Sequence, residues 1–115
     1  AFPIMNVYFL HGFLGLPSDW VPTLDDMHKD PKFDAHVHLM NLWRTIEDTQ
    51  VETMFEDWAT EFSKELQGED NWLVGYSLGG RLLLNLPKDA WPQIKGLILI
   101  SSHPGLPSGK RAKTR

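Results

Sequence analysis

With 115 residues, 42% apolar side chains, five Trp and six Phe, the chain is sized for one domain with a packed core, not a disordered tail. The absence of cysteine removes disulfides, thiolate metal sites and cysteine nucleophiles together, and a formal net charge of −4 argues against a nucleic-acid partner. No basic region followed by a long apolar stretch opens the sequence, and no apolar run approaches membrane-spanning length. The expectation is a cytoplasmic protein with no membrane partner.

Asn6 to Leu10 is β-branched and aromatic without polar alternation, which predicts a strand buried on both faces. His11-Gly12-Phe13-Leu14-Gly15 follows as a glycine-punctuated loop. Ser18 is placed to cap a helix with Trp20, Val21, Leu24 and Met27 at helical spacing, closed by Asp30-Pro31. Ala35 to Leu42 predicts the next strand, with His36 and His38 interleaved. Thr49-Gln50-Val51-Glu52 reads as a capping box, and Val51, Met54, Phe55, Trp58, Phe62 and Leu66 then trace one face of a long helix ended by Gly68. A strand from Asn71 comes next, then a helix from about Leu78 to Leu86 stopped by Pro87, then a strand from Lys95 to Ser101. Strands alternating with helices predict a three-layer α/β/α sandwich around a parallel sheet. Residues 41–70 carry nine acidic side chains against Arg44 and Lys64, read as a solvated face, whereas Lys110 to Arg115 is basic at every charged position.

The chemistry is concentrated in Gly75-Tyr76-Ser77-Leu78-Gly79. This is the G-x-S-x-G pattern in a strand-then-helix setting, where a serine sits on a strained turn with its hydroxyl clear of the backbone. Gly75 and Gly79 allow strand and helix to approach closely. A serine hydroxyl needs a base to take its proton and donors aimed at the developing oxyanion. In this architecture the backbone N–H of Leu78 and one from the loop after the first strand, expected at Phe13, are those donors. His11 is read as structural.

Phe9-Leu10-His11-Gly12-Phe13-Leu14-Gly15, the serine turn and Gly96-Leu97-Ile98-Leu99-Ile100-Ser101-Ser102 together resemble the α/β-hydrolase superfamily over nearly the whole chain. That resemblance implies the N-terminal part of the fold, with sheet order 4-3-5-6 in the superfamily's strand numbering. Gly-Tyr-Ser-Leu-Gly-Gly-Arg, paired with a downstream Ser-His-Pro-Gly-Leu and a basic segment, further resembles the family of 2-succinyl-6-hydroxy-2,4-cyclohexadiene-1-carboxylate (SHCHC) synthases of menaquinone biosynthesis. The resemblance implies a serine that, activated by a His–Asp pair, takes a proton from a carboxylate-rich substrate, with elimination of pyruvate and no cofactor. It also implies arginines to hold the carboxylates, matched here by Arg81 and Arg111. Tyr76 is placed beside the serine, within reach of a substrate. Arg81 also reads as a surface helix residue and Tyr76 as packing under the turn.

Two departures follow. Where many family members have Asp-Leu-Pro-Gly-His-Gly after the second strand, this chain reads Asn41-Leu42-Trp43-Arg44. In this fold the triad acid and histidine come late, in chain order Ser, Asp, His. Neither His103, in the Pro-Gly loop, nor Asp89 occupies the matching place. The expectation is a single domain over 1–115, incomplete at its C-terminus and of little turnover alone, with an apolar edge strand that a homo-oligomer would cover. The alternatives are a small esterase or thioesterase of the same fold, taking an ester as its substrate, and a non-catalytic domain that keeps the turn as structure. His36 and His38 share a strand face at metal-ligand spacing without an obvious third ligand, so no metal site is assigned.

Overall fold

The computed structural model describes residues 5–42 and 53–101. Four strands, β1 (Asn6–Leu10), β2 (His36–Met40), β3 (Asn71–Tyr76) and β4 (Ile94–Ile100), form one sheet in the order β2-β1-β3-β4. All three pairings are parallel, with Val7 opposite both Val37 and Trp72, and Leu10 opposite both Met40 and Gly75. The order is the one the superfamily resemblance implies. Central β1 is buried at every residue, which is why its sequence shows no polar alternation.

The two-residue period of β1 divides the core. Tyr8 and Leu10 point to one face and pack with Trp58 and Phe62 of α2 (Met54–Ser63) and with Leu82 and Leu83 of α3 (Leu78–Leu83). Val7 and Phe9 point to the other, against Trp20 and Leu24, the latter in α1 (Val21–Met27). Right-handed crossovers account for this division. The step from β1 to β2 runs one way across the sheet, and the steps to β3 and then β4 run the other, so among the described α-helices α1 packs on one face and α2 and α3 on the other.

Local chemistry redraws several boundaries. Ser18 caps nothing. It lies inside a 3-10 turn, Pro17–Trp20, and the Asp19 carboxylate accepts the Leu16 N–H at 2.9 Å in its place. α1 ends at Met27, and Asp30 instead accepts the N–H of Lys32 at 2.9 Å. α2 ends at Ser63. Leu66 joins the core from the turn that follows, and Gly68 takes a left-handed φ of 68°. The capping box at Thr49–Glu52 lies outside the described residues. A further 3-10 segment, Lys88–Gln93, forms after Pro87 where no element is expected, and β4 begins at Ile94. No helix among the described residues is long and apolar enough to cross a membrane.

Candidate active site

The site is built at the C-terminal ends of β1, β3 and β4. β3 carries its buried run Leu73-Val74-Gly75 to the sheet edge, and after Tyr76 the chain turns directly into α3. Ser77 makes that turn with φ 52° and ψ −112°. A non-glycine residue there stores about 1–3 kcal/mol of backbone strain, which persists only where the surroundings fix it. They do. The Ser77 N–H donates to the Ile100 carbonyl at 2.9 Å, and the Ser77 carbonyl accepts the Arg81 N–H at 3.1 Å as the first bond of the helix.

Close approach supplies the rest. A Cβ on Gly75 would lie 2.6 Å from Gly80 Cα, and one on Gly79 would lie 2.5 Å from the Leu10 carbonyl oxygen. Strand β3, helix α3 and the end of β1 therefore meet at a separation that side chains would forbid.

The loop after β1 runs against this turn. His11 is buried, and its Nε2 accepts the Leu42 N–H at 3.1 Å. The ring proton is thereby placed on Nδ1, which lies 2.9 Å from the Gly12 carbonyl. One ring nitrogen thus engages the loop's own Gly12 and the other the backbone just after β2. The Gly12 carbonyl also accepts the Gly15 N–H at 2.9 Å. A Cβ on Gly12 would meet Tyr76 Cδ2 at 2.6 Å and Ser77 Cβ at 3.4 Å, so the loop backbone lies directly beside the serine. The side chains of Phe13 and Leu14 are exposed.

Tyr76 and Ser77 thus lie against Gly12 of the loop after β1, and Leu78 and Arg81 follow in α3. Ser77 is half-buried, Leu78 is the first residue of α3, and Tyr76 is exposed with its ring against Gly12. Arg81 is half-buried one turn beyond the serine. Its guanidinium carbon lies 5.3 Å from the centroid of the Phe55 ring, and its buried Nε has no hydrogen-bond partner among the described residues. Arg111 and His103 lie outside the described residues. The sequence reading misses the Ile100 carbonyl that anchors the serine and the Leu42 N–H that fixes His11, because neither contact leaves a trace in residue type.

On β2, His38 is engaged by its neighbours in the sheet. His38 Nε2 lies 3.0 Å from Asn6 Oδ1, and its ring stacks on Tyr8 with centroids 4.3 Å apart. Burial lowers its pKa, His36 lowers it further, and Glu65 opposes both. The Tyr8 phenol is raised by burial and then by Glu65. Among the described residues no group of three His, Cys, Asp or Glu is arranged to hold a metal ion.

The four-stranded parallel sheet with flanking helices has the fold of a solved α/β-hydrolase. A solved extracellular α/β-hydrolase from a Paenibacillus species superposes with a TM-score of 0.62 at 15% identity, over 89% of this chain and 42% of that one. In sequence the chain resembles the N-terminal portion of SHCHC synthases. It is 32% identical to the Klebsiella pneumoniae enzyme over 93% of this chain and 42% of the relative. It is 31% identical to that of Yersinia enterocolitica over 93% and 39%. A Haemophilus influenzae protein provisionally given the same name is 29% identical over 97% and 47%. No family model matches the chain. The chain spans less than half the length of these curated relatives.

Proposed function

We propose that this chain is the serine-bearing part of an SHCHC synthase, working by serine-assisted proton abstraction and pyruvate elimination from a carboxylate-rich substrate. The observation that carries the reading is the backbone of Ser77, at φ 52° and ψ −112° between Gly75 and Gly79. Strain of this kind collects at working residues. Phe13 and Leu78 are the proposed oxyanion donors. Arg81, whose buried Nε has no partner among the described residues and which lies one turn from the serine, is the proposed carboxylate holder, and Arg111 and Tyr76 are proposed to assist it. Both His11 nitrogens are engaged, so His11 is not the base for Ser77, and little turnover from these 115 residues alone is part of the proposal.

The test uses the polypeptide that carries these residues. A fluorophosphonate should label Ser77, and Arg81→Ala should lower synthase activity by about ten- to a hundred-fold while leaving ester cleavage unchanged. An Arg81→Ala variant with undiminished synthase activity would remove the carboxylate argument and favour an esterase or thioesterase. Failure to label Ser77 would favour a non-catalytic domain that retains the turn as structure.

A further inference from the structure

Among the described residues, three that are not glycine hold a positive φ: Leu14, Ser77 and Ser101, at 64°, 52° and 50°. Each lies where the chain leaves the C-terminal end of a strand of the site, after β1, β3 and β4. Such torsions persist only where the surroundings fix them, and they collect where a site is held in shape. Ser77 makes the serine turn, and Leu14 belongs to the loop closed by the Gly15 N–H on the Gly12 carbonyl. Ser101 is different. Its side chain is exposed, so packing of that side chain does not account for its conformation.

The account lies in the peptide unit that precedes it. β3 and β4 end on the same rung, Tyr76 opposite Ile100, and the next residue of each strand is left-handed. One further bond joins the two turns, from the Ser77 N–H to the Ile100 carbonyl at 2.9 Å. That carbonyl and the Ser101 N–H belong to one planar peptide unit, and the φ of Ser101 is the rotation about the bond that leaves it. A left-handed φ lets this plane stay in the sheet, with its carbonyl on Ser77, while the chain bends away at Ser101.

We propose that Ser101 is a positioning residue for Ser77: its left-handed turn holds the Ile100 carbonyl against the Ser77 N–H and so keeps the serine turn in its own strained conformation. The proposal rests on the reading of Ser77 as the reactive group. It assigns the work to the Ser101 backbone and none to its hydroxyl.

Two substitutions, made in the polypeptide that carries these residues, separate backbone from hydroxyl. Ser101→Gly removes the hydroxyl and accepts a φ of 50° freely, whereas Ser101→Thr keeps a hydroxyl and adds a β-branch that resists it. Fluorophosphonate labelling of Ser77 should stay within about two-fold of the parent rate in Ser101→Gly and slow about ten-fold in Ser101→Thr, read where circular dichroism shows both folded. In Ser101→Thr the Ser77 amide should also exchange with solvent about ten-fold faster, because its acceptor has moved. Unchanged labelling or an unchanged Ser77 amide in Ser101→Thr overturns the proposal, as does slow labelling of Ser101→Gly. Should Ser101→Thr not fold, Ser101→Asn, which tolerates positive φ without being glycine, takes its place: labelling at the parent rate upholds the proposal and slow labelling overturns it. The wider reading fails separately. If the parent polypeptide does not label at Ser77, the catalytic role is lost and the amide alone decides: faster exchange in Ser101→Thr upholds the hold of Ser101 on the serine turn, and equal exchange overturns it.

Discussion

The two faces of the sheet are finished to different degrees. Toward α2 and α3 the core is closed. Leu10, Leu73, Leu82, Leu83 and Phe62 are almost wholly removed from solvent, and Phe62 stacks on Trp58 while meeting Tyr8 edge-on. Toward α1 the buried set among the described residues is Val7, Phe9, Trp20, Leu24 and Val74, with Met5, Met27, Phe33 and Trp72 partly open around it. Ile98 and Ile100 stand exposed at the β4 edge. The cause is topological, since two crossovers fall on one face and one on the other. The lesson is that the serine turn sits on a seam, with rigid packing behind it and accessible apolar surface in front.

Paired truncations should break this comparison if it is wrong. Phe62→Ala removes a ring with no solvent to replace its contacts and is expected to cost about 3–5 kcal/mol. Phe33→Ala, on the open face and half-buried, is expected to cost about 1–2 kcal/mol. Chemical denaturation of both variants measures the difference. Equal losses would mean that the α1 face is as tightly closed as the other.

The seam itself gives the next largest effect, of opposite sign. Ser77 holds its φ of 52° against its own preference, and Ser77→Gly removes the side chain that makes this conformation unfavourable. Stability should rise by about 1 kcal/mol, read as a higher denaturation midpoint, while fluorophosphonate labelling is lost. A lower midpoint would show that the hydroxyl contributes more to packing than the backbone loses to strain.

How much of this is legible in the residues differs by feature. The serine turn is legible because glycine, serine and an apolar strand each leave a distinct mark, and the three coincide at residues 75–79. Sheet order is implied by resemblance, since periodicity alone does not choose neighbours among four parallel strands. The end of α1 and the cap at Asp19 are not legible in the same way. Ser18 and Asp19 are adjacent, both competent to cap, and only the path of the preceding Leu16-Pro17 decides that the carboxylate reaches back. Arg81 on Phe55 is half legible. The helical period marks Phe55 as inward-facing, but which α3 residue crosses it depends on how two helices pack.

The smallest expected effect lies at β2, where the sheet edge is titratable. His38 is packed between Tyr8, Asn6 and the Glu65 turn, with His36 on the same strand, and its folded pKa is lowered first by burial and then by His36. The unfolded chain therefore binds the proton more readily than the folded one. Stability from this group is fully present above the ordinary histidine range near about 6.5 and is lost as pH falls through that value toward the folded pKa. Glu65 works against the loss but ranks last among the causes, so it reduces the slope without reversing it. His38→Phe keeps a ring on Tyr8, removes the titration and surrenders the bond to Asn6. Denaturation midpoints at pH 7.5 and 5.5 should separate less in the variant than in the parent chain. An equal separation would place the acid sensitivity on other groups, and a larger one would mean that protonated His38 is held favourably by Glu65.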